Sequence, residues 1–146
     1  MEKVWTEVVA DWQGSQGFVG TNSGGGAIQI NEVNGKPGVK PMELLLLGLA
    51  GCTGVDIVDI LNKKRKHFEK FEVQVRGTRA EEYPKVYKEI EVIYRLWGDD
   101  IAARDLEQAI RLSEEKYCSA NAMLEAVAEI RSSYEILTIE DSTISK

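Results

Sequence analysis

Residues 42–61, MELLLLGLAGCTGVDIVDIL, are the most apolar stretch of this chain and carry glycine at 48, 51 and 54 around a single thiol, Cys52. Pro41 is suited to the first helical position, Glu43 to the first turn, and the run Lys63, Lys64, Arg65, Lys66 to a helix C-terminus. The pattern predicts a helix of about 25 residues beginning at Pro41. Its apolar run, Leu44 to Val55, is shorter than the roughly 18–20 residues that cross a bilayer. At 100° per residue the three glycines form a slowly drifting stripe, each costing up to ~1 kcal/mol relative to alanine. Close approach of another backbone is the compensation such a stripe implies. Cys52 falls four residues after Gly48, on a neighbouring face.

Around this helix the chain alternates between the two hydrophobic periods. VWTEVVADW (4–12), GFVG (17–20) and GAIQINEV (26–33) are short β-prone pieces, with Gly24, Gly25 and Gly26 as a turn. NGKPGVKP (34–41) reads as a connector. FEVQVRGTRA (71–80) and YKEIEVIYRL (87–96) alternate with period two and predict an antiparallel pair across EEYPK. Residues 99–115 and 118–130 predict two helices, and YEILTI (134–139) a last strand. The order predicts an α+β fold in one domain, residues 1–146.

A net charge of −6 and a pI near 4.9 argue against nucleic acid as a partner, since that binding needs a clustered positive surface. No leader-like or membrane-spanning segment is evident, which predicts a cytoplasmic protein without a membrane partner. Two cysteines 66 positions apart form no disulfide scaffold and are either small buried hydrophobes or redox groups. Cys52 has no helix N-terminus or local cation to stabilise a thiolate, and Asp56 one turn on opposes one. Cys118, at the KYCSAN junction where a helix begins, is expected to be the more acidic thiol. His67 is the only histidine, so histidine triads and multi-histidine metal sites are excluded. The glycine-rich pieces lack the elements of a phosphate loop. Asp56 with Asp59, and Glu114 with Glu115, read as solvated helical charges.

KPMELLLLGLAGC and YCSANAML, with the order of elements between them, resemble the family of osmotically inducible protein C and organic hydroperoxide resistance proteins. The resemblance extends over nearly the whole chain. It implies an intertwined homodimer of α+β subunits: an N-terminal β-meander, a long central helix, antiparallel strands and two further helices. The central helices of the two subunits would then meet along Gly48, Gly51 and Gly54. It implies thiol-dependent reduction of organic hydroperoxides without a metal or organic cofactor. Cys52 matches the peroxidatic thiol and Cys118 the resolving thiol, which together form an intrachain disulfide that a dithiol reductant reopens. Leu45, Leu49 and Val55 are the apolar neighbours for the substrate's organic tail.

The chain departs from the family pattern at the activating pair. Where the family has a glutamate ten residues before the first cysteine, Met42 stands here, and nine residues place Glu43 about 180° from Cys52. The family's N-terminal arginine has no counterpart, since the first arginine is Arg65. Lys36, Lys40 or a basic residue further along are the available substitutes. A non-peroxidatic dimer that binds an apolar small molecule or senses oxidation is the alternative function.

Overall fold

In the computed structural model, residues 2–139 are described, and the chain divides into two units, Met1–Leu45 and Leu46–Lys146. The first is an antiparallel meander of β1 (Val8–Trp12), β2 (Phe18–Asn22) and β3 (Ala27–Ile30) in the order β1-β2-β3. The Gly24–Gly26 turn forms as expected: Gly25 takes φ +90° and the Gly26 N–H donates to Asn22 Oδ1 at 2.8 Å. The expected connector is more ordered than its composition suggests. Asn34 and Gly35 both take positive φ between Val33 and Lys36, whose backbones exchange two hydrogen bonds of 3.0 Å.

The central helix α1 runs from Pro41 to Lys63. Pro41 occupies its first position, and the Glu43 carboxylate reaches back to accept the Lys40 N–H at 2.8 Å, the N-terminal half of a capping box. Its far end closes with Arg65 at φ +58°: the Lys66 N–H donates to Leu61 O and the Arg65 N–H to Asn62 O, each at 2.9 Å. By length and composition α1 is apolar enough to cross a membrane. Its Leu49, Thr53, Ile57 and Leu61 instead form a buried stripe at four-residue spacing.

In the second unit β4 (Lys70–Arg79) and β5 (Tyr87–Trp97) form the expected antiparallel pair. The sheet order is β4-β5-β6, and β6 (Glu129–Leu137) lies parallel to β5 with Tyr94 beside Tyr134. Parallel neighbours need a crossover, supplied here by α2 (Ala103–Leu112), a π-helical turn (Ser113–Tyr117) and α3 (Ser119–Leu124). The third helix is therefore shorter than expected, and the last strand begins five residues earlier. Ile90, Val92, Tyr94 and Leu96 of β5, with Leu106, Ala109 and Ile110 of α2 and the α1 stripe, make up much of the core. This is the expected α+β fold.

The glycine stripe divides. A Cβ at Gly48 or Gly51 would meet nothing within 4 Å, whereas one at Gly54 would lie 3.5 Å from Val73 Cγ2 of β4. The drift of the stripe carries its third member onto the chain's own sheet.

Candidate functional site

Cys52 sits near the middle of α1, beside the fully buried Thr53, and is itself half-buried. Cys118 arrives by another route. The π-helical turn widens the end of α2 so that the Cys118 N–H donates to Ser113 O at 2.7 Å, and Cys118 then becomes the N-cap of α3. Its Sγ accepts the Asn121 N–H at 3.3 Å. Both thiols are free, and Cys52 lies near enough to Cys118 to help raise its pKa.

Cys118 is not the acidic thiol that its position at a helix start suggests. It is only 3% exposed, and burial pushes it from 9.0 up to about 11; the Asn121 N–H opposes that rise, while Cys52 and Asp56 add to it. One amide at the start of a six-residue helix does not offset the loss of water around a thiolate. None of these groups is a cation.

Nearby side chains form a polar chain whose members read in the sequence as solvated or unremarkable residues. Ser113 Oγ lies 2.8 Å from Asp56 Oδ2 and 3.0 Å from Thr53 Oγ1. Thr53 Oγ1 lies 3.0 Å from the Tyr94 hydroxyl, which donates to Glu114 Oε2 at 2.8 Å. Asp56 and Glu114 are thus not simple solvated charges. The members of this chain come from α1, β5 and the π-helical turn, a convergence that helical spacing alone does not reveal. Burial raises the Tyr94 hydroxyl well above its usual range, with Glu114 and Cys118 contributing and Thr53 opposing. Among the described residues, no group of three or more His, Cys, Asp or Glu is arranged to hold a metal ion.

Leu49 does not join Leu45 and Val55 as a neighbour for an organic tail. It is 1% exposed in the core stripe, whereas Leu45 and Val55 are exposed. Lys36 and Lys40 belong to the first unit, Lys40 at the cap of α1.

Residues 33–133 match the family model described as OsmC-like protein. The chain belongs to the OsmC-like family. Protein YhfA of Escherichia coli strain K12 is 33% identical to this OsmC-like chain over 126 residues, covering 86% of it and 94% of YhfA. A solved structure of a hypothetical protein from Aquifex aeolicus VF5 superposes with a TM-score of 0.82 at 36% identity, covering 93% of this chain and 98% of that one. The organic hydroperoxide resistance protein OhrB of Bacillus subtilis shares the fold at a TM-score of 0.61 and 18% identity, with 90% and 98% of the two chains covered. Within this OsmC-like chain Glu43 is engaged in capping α1.

Proposed function

We propose that this OsmC-like protein is a thiol-dependent peroxidase that reduces organic hydroperoxides, with Cys52 as the attacking thiol and Cys118 as the resolving thiol. The observation that supports the reading is a pair of free thiols, 66 residues apart in the chain, near enough for Cys52 to raise the pKa of Cys118. Cys52 attacks the distal peroxide oxygen, the O–O bond breaks, and the sulfur is oxidised to a sulfenic acid while the hydroperoxide leaves as an alcohol. Cys118 then attacks the Cys52 sulfur; an intrachain disulfide forms, water leaves, and a dithiol reductant restores both thiols. Burial keeps Cys118 protonated until that second step, which suits a resolving thiol. The name of the Bacillus subtilis relative, a protein of organic hydroperoxide resistance, points to the same substrate class.

The working unit in this reading is a cytoplasmic homodimer. Gly48 and Gly51 present open backbone on α1, beside the exposed Leu47 and Val55, a surface suited to the same helix of a second copy. A second function, an OsmC-like dimer that binds an apolar small molecule or senses oxidation, is favoured by one observation: Met42 replaces the activating glutamate and Glu43 is committed to a cap.

Cumene hydroperoxide added to the purified protein separates the two. A peroxidase loses two free thiols per chain, gains a Cys52–Cys118 disulfide on peptide mapping, and consumes dithiol catalytically. Cys52→Ser abolishes turnover, and Cys118→Ser leaves one round of oxidation with a trappable sulfenic acid on Cys52. Unchanged thiols, bridges only between chains, or a sulfenic acid on Cys118 in the Cys52→Ser protein overturns the assignment.

A further inference from the structure

Ser113 stands where the two cysteine-bearing segments meet. It is fully buried, and its Oγ lies 2.8 Å from Asp56 Oδ2 and 3.0 Å from Thr53 Oγ1. A hydroxyl donates one bond and accepts another, so it satisfies both partners at once. Thr53 follows Cys52 directly on α1, and Asp56, four residues after Cys52, shares its face. The Ser113 carbonyl oxygen meanwhile accepts the Cys118 N–H at 2.7 Å, the bond that closes the π-helical turn. One residue therefore grips the turn of α1 that carries Cys52 with its side chain, and the backbone of Cys118 with its main chain.

The neighbouring ties lead elsewhere. The Glu114 carboxylate accepts from Tyr94 of β5 at 2.8 Å and from Ser132 of β6 at 3.2 Å. The Asn121 side chain donates to Glu114 O at 3.4 Å and to Glu125 Oε2 at 3.3 Å. These bonds order the turn and α3 against each other and against the sheet. It is Ser113 that ties the turn to α1.

We propose that Ser113 is a positioning residue for disulfide closure: its hydroxyl, bonded to Asp56 and Thr53, holds the Cys118 segment against the turn of α1 that carries Cys52, so that the reduced thiols stand near the separation a disulfide requires. The role rests on the disulfide assigned above. In that step the Cys118 sulfur bonds to the Cys52 sulfur, the S–O bond of the sulfenic acid breaks, and the Cys118 proton leaves with the departing hydroxide as water. Ser113 gives and takes no proton or electron in it. Its contribution is a high local concentration of one thiol at the other, which falls when the segment is free to move. A disulfide ties the same two segments, so the two restraints reinforce each other, and loss of the hydroxyl weakens the oxidised protein more than the reduced one.

Equilibration of the purified protein in glutathione buffers reads that local concentration without peroxide: the two protein thiols give two electrons and two protons to glutathione disulfide, which becomes two glutathione thiols. Alkylation and peptide mapping give the fraction in the Cys52–Cys118 disulfide. Ser113→Ala keeps the carbonyl contact to Cys118 and is expected to lower the effective concentration about tenfold, the equivalent of one hydrogen bond to a carboxylate. Asp56→Ala is expected to do the same, and it probes the tie from the α1 side should Ser113→Ala not fold. Asp56→Asn keeps an oxygen for Ser113 and stays near wild type. Ile90→Val, a truncation of a fully buried residue on β5, weakens both redox forms alike and leaves the ratio unchanged. Ser113→Ala and Asp56→Ala proteins with the wild-type ratio overturn the positioning role; so does an Asp56→Asn shift as large as that of Asp56→Ala, or an Ile90→Val shift as large as that of Ser113→Ala. A wild-type protein that forms the disulfide in glutathione yet does not react with cumene hydroperoxide overturns the peroxidase reading and leaves the positioning role standing.

Discussion

The two units of this chain are stabilised in different ways. Every buried apolar residue of the described core is Leu49 or later in the chain. β1 is exposed along its whole length, with Val8 at 73%, Val9 at 52% and Trp12 at 66%, and a largely apolar groove of about 400 Å³ is lined by Val8, Ile28, Ile30 and Leu44. The meander has a full ladder of hydrogen bonds and tight, well-formed turns, yet almost no burial. A ladder sets register. Burial of apolar area supplies the larger share of folding free energy, so a three-stranded sheet with uncovered apolar side chains is marginal alone. The second copy in the dimer reading is the surface that the first unit lacks.

Truncations probe that difference most strongly. Ile57 is fully buried on α1, and Ile57→Ala is expected to cost about 2–5 kcal/mol in urea unfolding. Trp12→Ala, at an exposed residue whose indole N–H bonds only the Ser15 carbonyl, is expected to cost no more than about 0.5 kcal/mol in the isolated chain. A Trp12→Ala loss that approaches that of Ile57→Ala, and grows with protein concentration, places Trp12 under another copy. A loss that large but independent of concentration breaks the comparison.

Gly51→Leu comes next. Within one chain a Cβ at Gly51 meets nothing, so the substitution has room and improves helix propensity. At a helix–helix interface the same side chain overpacks, at a cost of about 1–3 kcal/mol or more. Light scattering with urea unfolding reads both. A dimer as stable as wild type counts against α1 as the contact.

Much of the fold was legible because its signals were local. Pro41, Glu43 and the basic run bounded α1 to within a few residues, and period-two alternation marked β4 and β5. The misplaced elements follow from tertiary terms. Residues 118–130 keep helical spacing, but pairing along β5 from Glu129 outcompetes the helix after Leu124. The parallel direction of β6 depends on the crossover and leaves no trace in its own pattern. At the site, both cysteines are visible through family resemblance, whereas the low acidity of Cys118 comes from burial, which leaves no mark in the residues around it. Thr53, Tyr94, Ser113 and Glu114 carry no motif; their contacts span 20 to 60 positions in the chain.

Alkaline unfolding gives a smaller, signed effect. Cys118 is raised from 9.0 to about 11 in the folded protein, so over that interval the native state keeps a proton the unfolded chain has lost. The stabilisation is complete below about pH 9 and declines as pH rises toward 11. Tyr94 and Tyr134 are raised too and slope the same way, so the Cys118 share is read from the difference between wild type and Cys118→Ser. Curves that stay parallel from pH 8 to 11 contradict the burial argument.

The finest distinction lies along α1 itself. At Gly54 a Cβ lands 3.5 Å from Val73 and 3.9 Å from Phe71, ordinary contact distances, so Gly54→Ala gains helix propensity and a little apolar burial at no steric cost. It is expected to stabilise by up to about 1 kcal/mol, at every protein concentration. Gly48→Ala gains the same propensity, but its methyl points away from the chain's own atoms. If a second helix packs there, part of that gain is lost and the loss scales with dimer population; if water covers it, the two variants match. Measuring both at dilutions that span dimer dissociation separates the covered part of the glycine stripe from the open part. A Gly54→Ala protein less stable than wild type, with Gly48→Ala unchanged, would reverse the assignment of which glycine faces the chain's own sheet.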